Sequence, residues 1–284
     1  MKIIECPRDA MQGLHDFIPT ADKADYINQL LKIGFDTIDF GSFVSPKAIP
    51  QLRDTVEVLG QLDLTDTKSK LLAIVANERG ARDAAGFAEI TYQGFPLSLS
   101  ETFQQRNTNK SIGQALETVA GIQEICVGAN QKLVVYLSMG FGNPYGDPYD
   151  ASYISEFVQK LDALRITIIS LADTIGVATT ATIRDIFPKV QADYQHIEFG
   201  AHLHSSPTTA KEKVVAAYEA GCRRIDSAIL GIGGCPMAKD ELVGNMATET
   251  LLEYLSDTGA SEDINEAAWS ESLKQASVLF GKYQ

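Results

Sequence analysis

The sequence predicts an α/β fold, a closed (β/α)8 TIM barrel extended at its C-terminal end by a further helix. Three observations lead there. Eight short runs rich in β-branched residues punctuate the chain, and helical patterns occupy the spaces between them. The length of 284 residues also suits one barrel of roughly 250 residues plus a tail better than an open doubly wound sheet. The runs are KIIEC (2–6), DTIDF (36–40), LLAIV (71–75), EITYQ (89–93), KLVVYLS (132–138), ITIISLA (166–172), IEFGAHLH (197–204) and RRIDSAI (223–229). Joined through helices, such strands lie parallel.

The helix after the first run takes Thr20 as its cap, sets Ala24, Ile27, Leu30 and Leu31 on one face and has Gly34 behind its end. Residues 211–220 repeat the arrangement, with Val214, Ala217 and Tyr218 on one stripe and Gly221 after it. Residues 76–88 give the shortest helical pattern, and 262–281 read as one more helix on the outside of the barrel. No linker or low-complexity stretch interrupts the chain. A single catalytic domain over 1–284 is therefore expected, its helical extension starting at about 259.

Hydrophobic residues make up 45% of the chain and charged ones 21%, as in ordinary globular proteins. A formal net charge of −13 runs against nucleic-acid binding, which uses a basic field, but allows a small anion in a locally positive pocket. Cys6, Cys126, Cys222 and Cys235 stand far apart with no CxxC spacing, the pattern of free thiols in a reducing compartment. The opening MKIIECPRDAMQ breaks its apolar run with Glu5 and Arg8, unlike a signal peptide. No later stretch nears the ~20 apolar residues of a membrane span. A cytoplasmic protein with no membrane partner is expected.

In such a barrel the active site forms where the strands end, and the unusual polar residues fall there. Arg8, Asp9 and Gln12 follow the first run, and Asp39 and Ser42 end the second. Ser170, Asp173 and Thr174 belong to the sixth, His202 and His204 to the seventh, and GIGGCP (231–236) with Asn245 follows the eighth. Residues two apart on a strand point the same way, so both imidazoles of His202-x-His204 can face the axis. Two neutral nitrogens with one or two oxygen ligands suit a divalent metal, and carboxylate or carbonyl oxygen favours magnesium or manganese. Two histidines hydrogen-bonded at a strand end give the same pattern; Asp9, from the neighbouring strand around the closed barrel, tips it towards a ligand set. His15 and His196 read as ordinary surface residues. Arg8 beside Asp9 is either a barrel-end ion pair or a fixed cation for a developing oxyanion. Cys235 sits in a Gly-Gly-Cys-Pro turn rather than a packed strand, which favours a reactive thiol over a structural one. Glu249 opens a helix, where complementing the dipole is the plainer role.

These residues carry a resemblance. PRDAMQ (7–12), SFVSPKAIPQ (42–51), SLADTIGVAT (170–179), HLH (202–204), GIGGCP (231–236) and GNMATE (244–249) resemble the 3-hydroxy-3-methylglutaryl-CoA (HMG-CoA) lyase family. That family lies within a wider group of metal-dependent lyases and synthases on this barrel, and the likeness runs along nearly the whole chain. The Asp-Thr-Ile-Gly-Val and Gly-Gly-Cys-Pro stretches are its specific part. The resemblance implies cleavage of an acyl-CoA thioester, HMG-CoA, to acetyl-CoA and acetoacetate, a part in leucine degradation, and a homodimer. It implies a magnesium or manganese ion on Asp9, His202, His204 and Asn245, enolate stabilisation by Arg8, and proton transfer by Cys235. A water-linked His202 is a second candidate base. Functional carboxylates fall at Asp39, Asp173 and Glu249, and polar substrate contacts at Gln12, Ser42, Ser170 and Thr174. Arg106, Asn107 and Lys110 fall in a loop where the family approaches CoA, although a solvated surface loop is the plainer explanation of them.

The chain departs from the family pattern at four places. Asp39 stands where a longer Glu is usual, and Ser205-Ser206-Pro207-Thr208 replaces Asp-Thr-Tyr-Gly. Ala10 replaces a glycine, and the stretch from Cys235 to Asn245 is one residue longer than usual. These changes bear on the substrate more than on the metal. Three alternatives stay open. One is a lyase for another 3-hydroxyacyl-CoA. Another is a condensing synthase of the same group, although those usually carry Gly-Glu-Arg-x-Gly-Asn in place of Gly-Gly-Cys-Pro and a long regulatory domain. The third is an inactive binding barrel.

Overall fold

In the computed structural model, which describes residues 1–234, 243–260 and 263–283, the strand runs close into a parallel barrel. Its wall is β1 (Lys2–Glu5), β2 (Thr37–Ser42), β3 (Lys70–Ile74), β4 (Ile90–Ser98), β5 (Lys132–Ser138), β6 (Ile168–Ala172) and β7 (Glu198–His202). The two-residue β8 (His204–Ser205) leaves the wall, and β9 (Arg224–Ser227) closes it between β7 and β1. A short β10 (Gly244–Asn245) pairs antiparallel with β8, Asn245 opposite His204. Alternation along the strands divides the core. Leu72, Tyr92, Val134, Tyr136 and Ile168 form a small cluster within the barrel. Their neighbours Leu71, Leu133, Val135 and Ile169 face outward into the larger cluster under the helices.

The helices are α1 (Pro7–Gln12), α2 (Thr20–Leu31), α3 (Thr55–Leu59), α4 (Glu78–Ala85), α5 (Glu101–Thr108), α6 (Ile112–Gly128), α7 (Ala151–Ala163), α8 (Thr180–Gln191), α9 (Ala210–Glu219), α10 (Thr248–Asp257) and α11 (Glu266–Tyr283). The face expected for α2 is buried as read, and α11 lies against it, with Tyr26 and Phe280 edge-on at 5.7 Å. Thr20 is not the cap of α2 but its first residue, after Pro19, and its hydroxyl donates to Asp54 at 2.8 Å. The faint pattern at 76–88 is a real helix because the Asn77 side chain caps it on the Gly80 amide. Among the described residues no helix is long and apolar enough to cross a membrane.

PRDAMQ, given no element above, is a helix started by Pro7, whose missing N–H is harmless in a first turn. Two further expectations change. The seventh run does not extend through His204, because β7 ends at His202 and the backbone turns into β8. Arg106 and Asn107 lie within α5 rather than in a loop, and Arg106 sits over the Tyr145 ring. Lys110, just beyond that helix, donates to Thr118.

Candidate metal centre

α1 delivers Arg8 and Asp9 to the barrel mouth from the end of β1. Asp9 does not come from a strand next to the histidines, as expected, because β9 lies between β1 and β7. Its reach comes from the helical turn. One ligand atom from each of Asp9, His202 and His204 falls within 4.8 Å of the other two. The Nε2 atoms of the two imidazoles are 3.2 Å apart, so the turn into β8 keeps both rings converging. β10 adds Asn245, which donates through Nδ2 to Asp9 Oδ2 at 2.8 Å and to the Ile232 carbonyl at 2.9 Å. The amide's remaining oxygen is then the atom suited to a cation.

Arg8 is gripped from two sides. Its Nε and Nη2 donate to Asp39 Oδ2 at 3.0 and 2.5 Å, and its Nη1 to Asp9 Oδ1 at 2.7 Å and Gln12 Oε1 at 3.0 Å. Gln12 returns a bond of 2.6 Å to Asp9. Burial works against the Arg8 charge, but Asp39 and Asp9 outweigh it and hold the guanidinium above its ordinary range. Burial also opposes the Asp9 charge, yet Arg8 and the histidines bring that carboxyl down to about 2. Burial, with His202 beside it, lowers His204 to about 4. At neutral pH Asp9 is thus ionised and His204 is a neutral imidazole, the forms in which both act as ligands. Burial raises Asp39 to about 6 despite Arg8.

The remaining candidates are placed differently. Asp173 accepts from Lys213 Nζ at 2.9 Å and from the Ala178 amide, and the same ammonium donates to the His204 carbonyl at 2.7 Å. Asp173 therefore acts on the backbone that carries His204. The Thr174 hydroxyl accepts from the Met139 amide at 2.9 Å, beneath a backbone held at φ 61. The Ser42 hydroxyl donates to the Ile74 carbonyl at 3.3 Å, and Ser170 Oγ is buried with no hydrogen-bond partner among the described residues. Glu249 accepts from the Leu230 amide with both oxygens, at 3.0 and 3.1 Å, and lines a groove with Leu252 and Trp269. It is not drawn into the ligand cluster. Cys235 lies outside the described residues; Cys6, Cys126 and Cys222 are buried free thiols.

Sequence reasoning missed Asp226, which accepts from or lies against His202 Nδ1 at 3.1 Å. The signal was an acidic residue two places after Arg224 in a buried strand, hence on the same inward side. It also missed Lys213 and Glu5. Glu5 is wholly buried, takes the Ile229 amide at 2.9 Å and the Thr248 hydroxyl at 2.6 Å, and is raised by burial to about 8.

A closed parallel barrel whose strand ends gather a carboxylate, two imidazoles, an amide and a buried guanidinium defines a class: a TIM-barrel protein with a candidate divalent-cation centre. Comparison with known proteins narrows it. The family model described as HMGL-like matches residues 2–274, and the chain belongs to that family. The mitochondrial hydroxymethylglutaryl-CoA lyase of Mus musculus is 31% identical over 268 residues, covering 93% of this chain and 81% of the relative. A hydroxymethylglutaryl-CoA lyase of Bacillus subtilis is 33% identical over 278 residues, covering 97% and 91%. The solved structure of an HMG-CoA lyase from Acinetobacter baumannii, in complex with coenzyme A and 3-methylmalate, superposes with a TM-score of 0.90. It is 32% identical and covers 99% of this chain and 91% of that one. All three carry lyase names, so the condensing-synthase and inactive-barrel alternatives are not favoured.

Proposed function

We propose that this chain is a metal-dependent lyase that cleaves HMG-CoA to acetyl-CoA and acetoacetate, with magnesium or manganese as its ion. The observation that carries the reading is the convergence of Asp9, His202 and His204 beside Arg8 at the mouth of the barrel. The donor set fits the group: a carboxylate held ionised, a neutral imidazole, an amide oxygen, and a second imidazole fixed from behind by Asp226. Asp9, His202, His204 and Asn245 would hold the ion, which when bound acidifies the C3 hydroxyl and orients the bond to be broken.

The protein's own groups do the rest. The hydroxyl proton leaves to Cys235 or to a water held against His202. The electron pair on that oxygen forms the ketone of acetoacetate as the C2–C3 bond breaks, and the pair from that bond becomes the enolate of acetyl-CoA. Arg8 would stabilise this developing charge; Asp39 and Asp9 keep it cationic and, with Gln12, hold it rigid, so little reorganisation is needed when the charge appears. Cys235 returns a proton to the enolate carbon. Asp173 holds Lys213, and Lys213 holds the backbone of His204. Ser42, Ser170, Thr174 and Glu249 are assigned to shaping or contacting the substrate region. An acyl-CoA ligand, a homodimer and a cytoplasmic location belong to the same reading, as does one catalytic domain over 1–284. The relative solved with coenzyme A supports the thioester.

Purified chain supplied with Mn2+ and HMG-CoA is expected to release acetyl-CoA and acetoacetate in equal amounts and to stop when the metal is chelated. No acetyl-CoA from the metal-loaded chain overturns the assignment.

A further inference from the structure

Behind His202, on the side away from His204, lies a second group of ligand atoms. Cys6 Sγ, a ring nitrogen of His202 and a carboxylate oxygen of Asp226 fall within 4.8 Å of one another. The register explains the meeting. β9 pairs with β7 on one side, His202 opposite Asp226, and with β1 on the other, its Ser227 opposite Glu5, the residue before Cys6. Asp226 is only 2% exposed, and its Oδ1 has no hydrogen-bond partner among the described residues. Cys6 is equally buried, its thiol 3.5 Å from the Ile4 carbonyl. An orphaned buried carboxylate oxygen is costly, and a cation answers it.

We propose that Cys6, His202 Nδ1 and Asp226 form a second, inner site for a thiophilic divalent cation such as Zn2+ or Cd2+, and that filling it disables the outer site. The inhibitory half rests on the reading of the outer site as a metal centre. One thiolate and one carboxylate neutralise a divalent ion, and sulfur with imidazole selects softer metals over magnesium or manganese. Bonds of ~2.0–2.3 Å require the three atoms to close by about an ångström. The thiol proton leaves to solvent as the thiolate forms, the ion's own charge overcoming the burial that otherwise keeps Cys6 protonated. A neutral imidazole has one nitrogen free to ligate. With Nδ1–H turned to Asp226, that nitrogen is Nε2, which faces His204. A cation on Nδ1 shifts the proton to Nε2 and points an N–H into the outer ligand set.

The test uses Co2+ as a spectroscopic probe of the inner site and Mn2+ as a probe of the outer one, on the full chain. Co2+ is expected to give a thiolate-to-cobalt charge-transfer band that Cys6→Ser loses and Cys235→Ser keeps. Excess Cd2+ is expected to weaken Mn2+ binding, followed by electron paramagnetic resonance, by about tenfold or more beyond its effect on Cys6→Ser, where direct competition for the outer ligands alone remains. Cys6→Ala supplies the same comparison if the serine variant fails to fold. No band, or a band that survives the loss of Cys6, overturns the inner site. A Cd2+ effect of the same size in wild type and in Cys6→Ser overturns the antagonism. Absence of Mn2+ binding in wild type defeats the outer-site reading and the antagonism with it, while the cobalt band still decides the inner site alone.

Discussion

His202 turns its Nδ1 to Asp226 Oδ2 at 3.1 Å, across the pair of strands β7 and β9. The carboxylate fixes the ring's tautomer and leaves Nε2 with its lone pair towards Asp9 and His204. Partners of this kind are worth about 10- to 100-fold in metal affinity. Asp226→Asn removes the charge and can offer an N–H to the ring instead. It is expected to weaken Mn2+ binding by that factor with the fold intact. A titration that finds unchanged affinity separates Asp226 from the centre.

Arg8→Ala is expected to lower kcat on the order of 10²-fold or more, the size of losing a donor at developing charge. Mn2+ uptake should persist, because the Asp9 carboxyl starts from about 2 and stays ionised at neutral pH. Asp39, already at about 6 beside the guanidinium, takes up a proton once that partner is gone, which limits the loss of stability. Full activity in Arg8→Ala removes the arginine from the mechanism.

Gly233 sits at φ +95, and a Cβ there would meet Asn245 Nδ2 at 2.7 Å and the Asp9 carbonyl at 2.8 Å. Gly233→Ala therefore strains the backbone and presses on one candidate ligand and the backbone of another. Weaker Mn2+ binding together with a lower melting temperature is expected. A variant that binds Mn2+ as wild type does shows that Gly233 does not hold the ligand geometry.

The barrel was legible because its strands announce themselves by composition. KLVVYLS coincides with β5 residue for residue, and the periodic apolar face of α2 is buried as read. The run at 89–93 stops short because Gly94 and Pro96 look like breakers, yet β4 continues to Ser98. Past Gly94 only β5 stands in register with it, so a residue without an N–H is tolerated there. The metal cluster was legible as far as residues with ligand chemistry sit at strand ends. Asp226, Lys213 and Glu5 were hidden because each lies inside a strand or helix and acts through partners fixed only by tertiary contact. Glu249 shows the converse, since its place at the start of α10 was plain while its bond to the Leu230 amide was not.

Glu5 gives stability a pH dependence. Its carboxyl is raised from 4.5 to about 8 in the fold, so between those values the folded chain holds a proton that the unfolded chain has lost. Its contribution is complete below the lower value and disappears as pH rises through the higher one, with a slope of up to about 1.4 kcal/mol per pH unit between them. Glu5→Gln stays neutral throughout. Its melting temperature should gain on wild type as pH rises across that window, and a difference that does not vary with pH contradicts the buried protonated acid.

The central claim is that Asp9, His202, His204 and Asn245 hold one oxygen- and imidazole-seeking divalent ion. Titrating Mn2+ into the chain, with free ion read by electron paramagnetic resonance, tests it most directly. One Mn2+ bound per wild-type chain and none on a folded His204→Ala variant is the predicted result. No binding to wild type, or undiminished binding without His204, contradicts it.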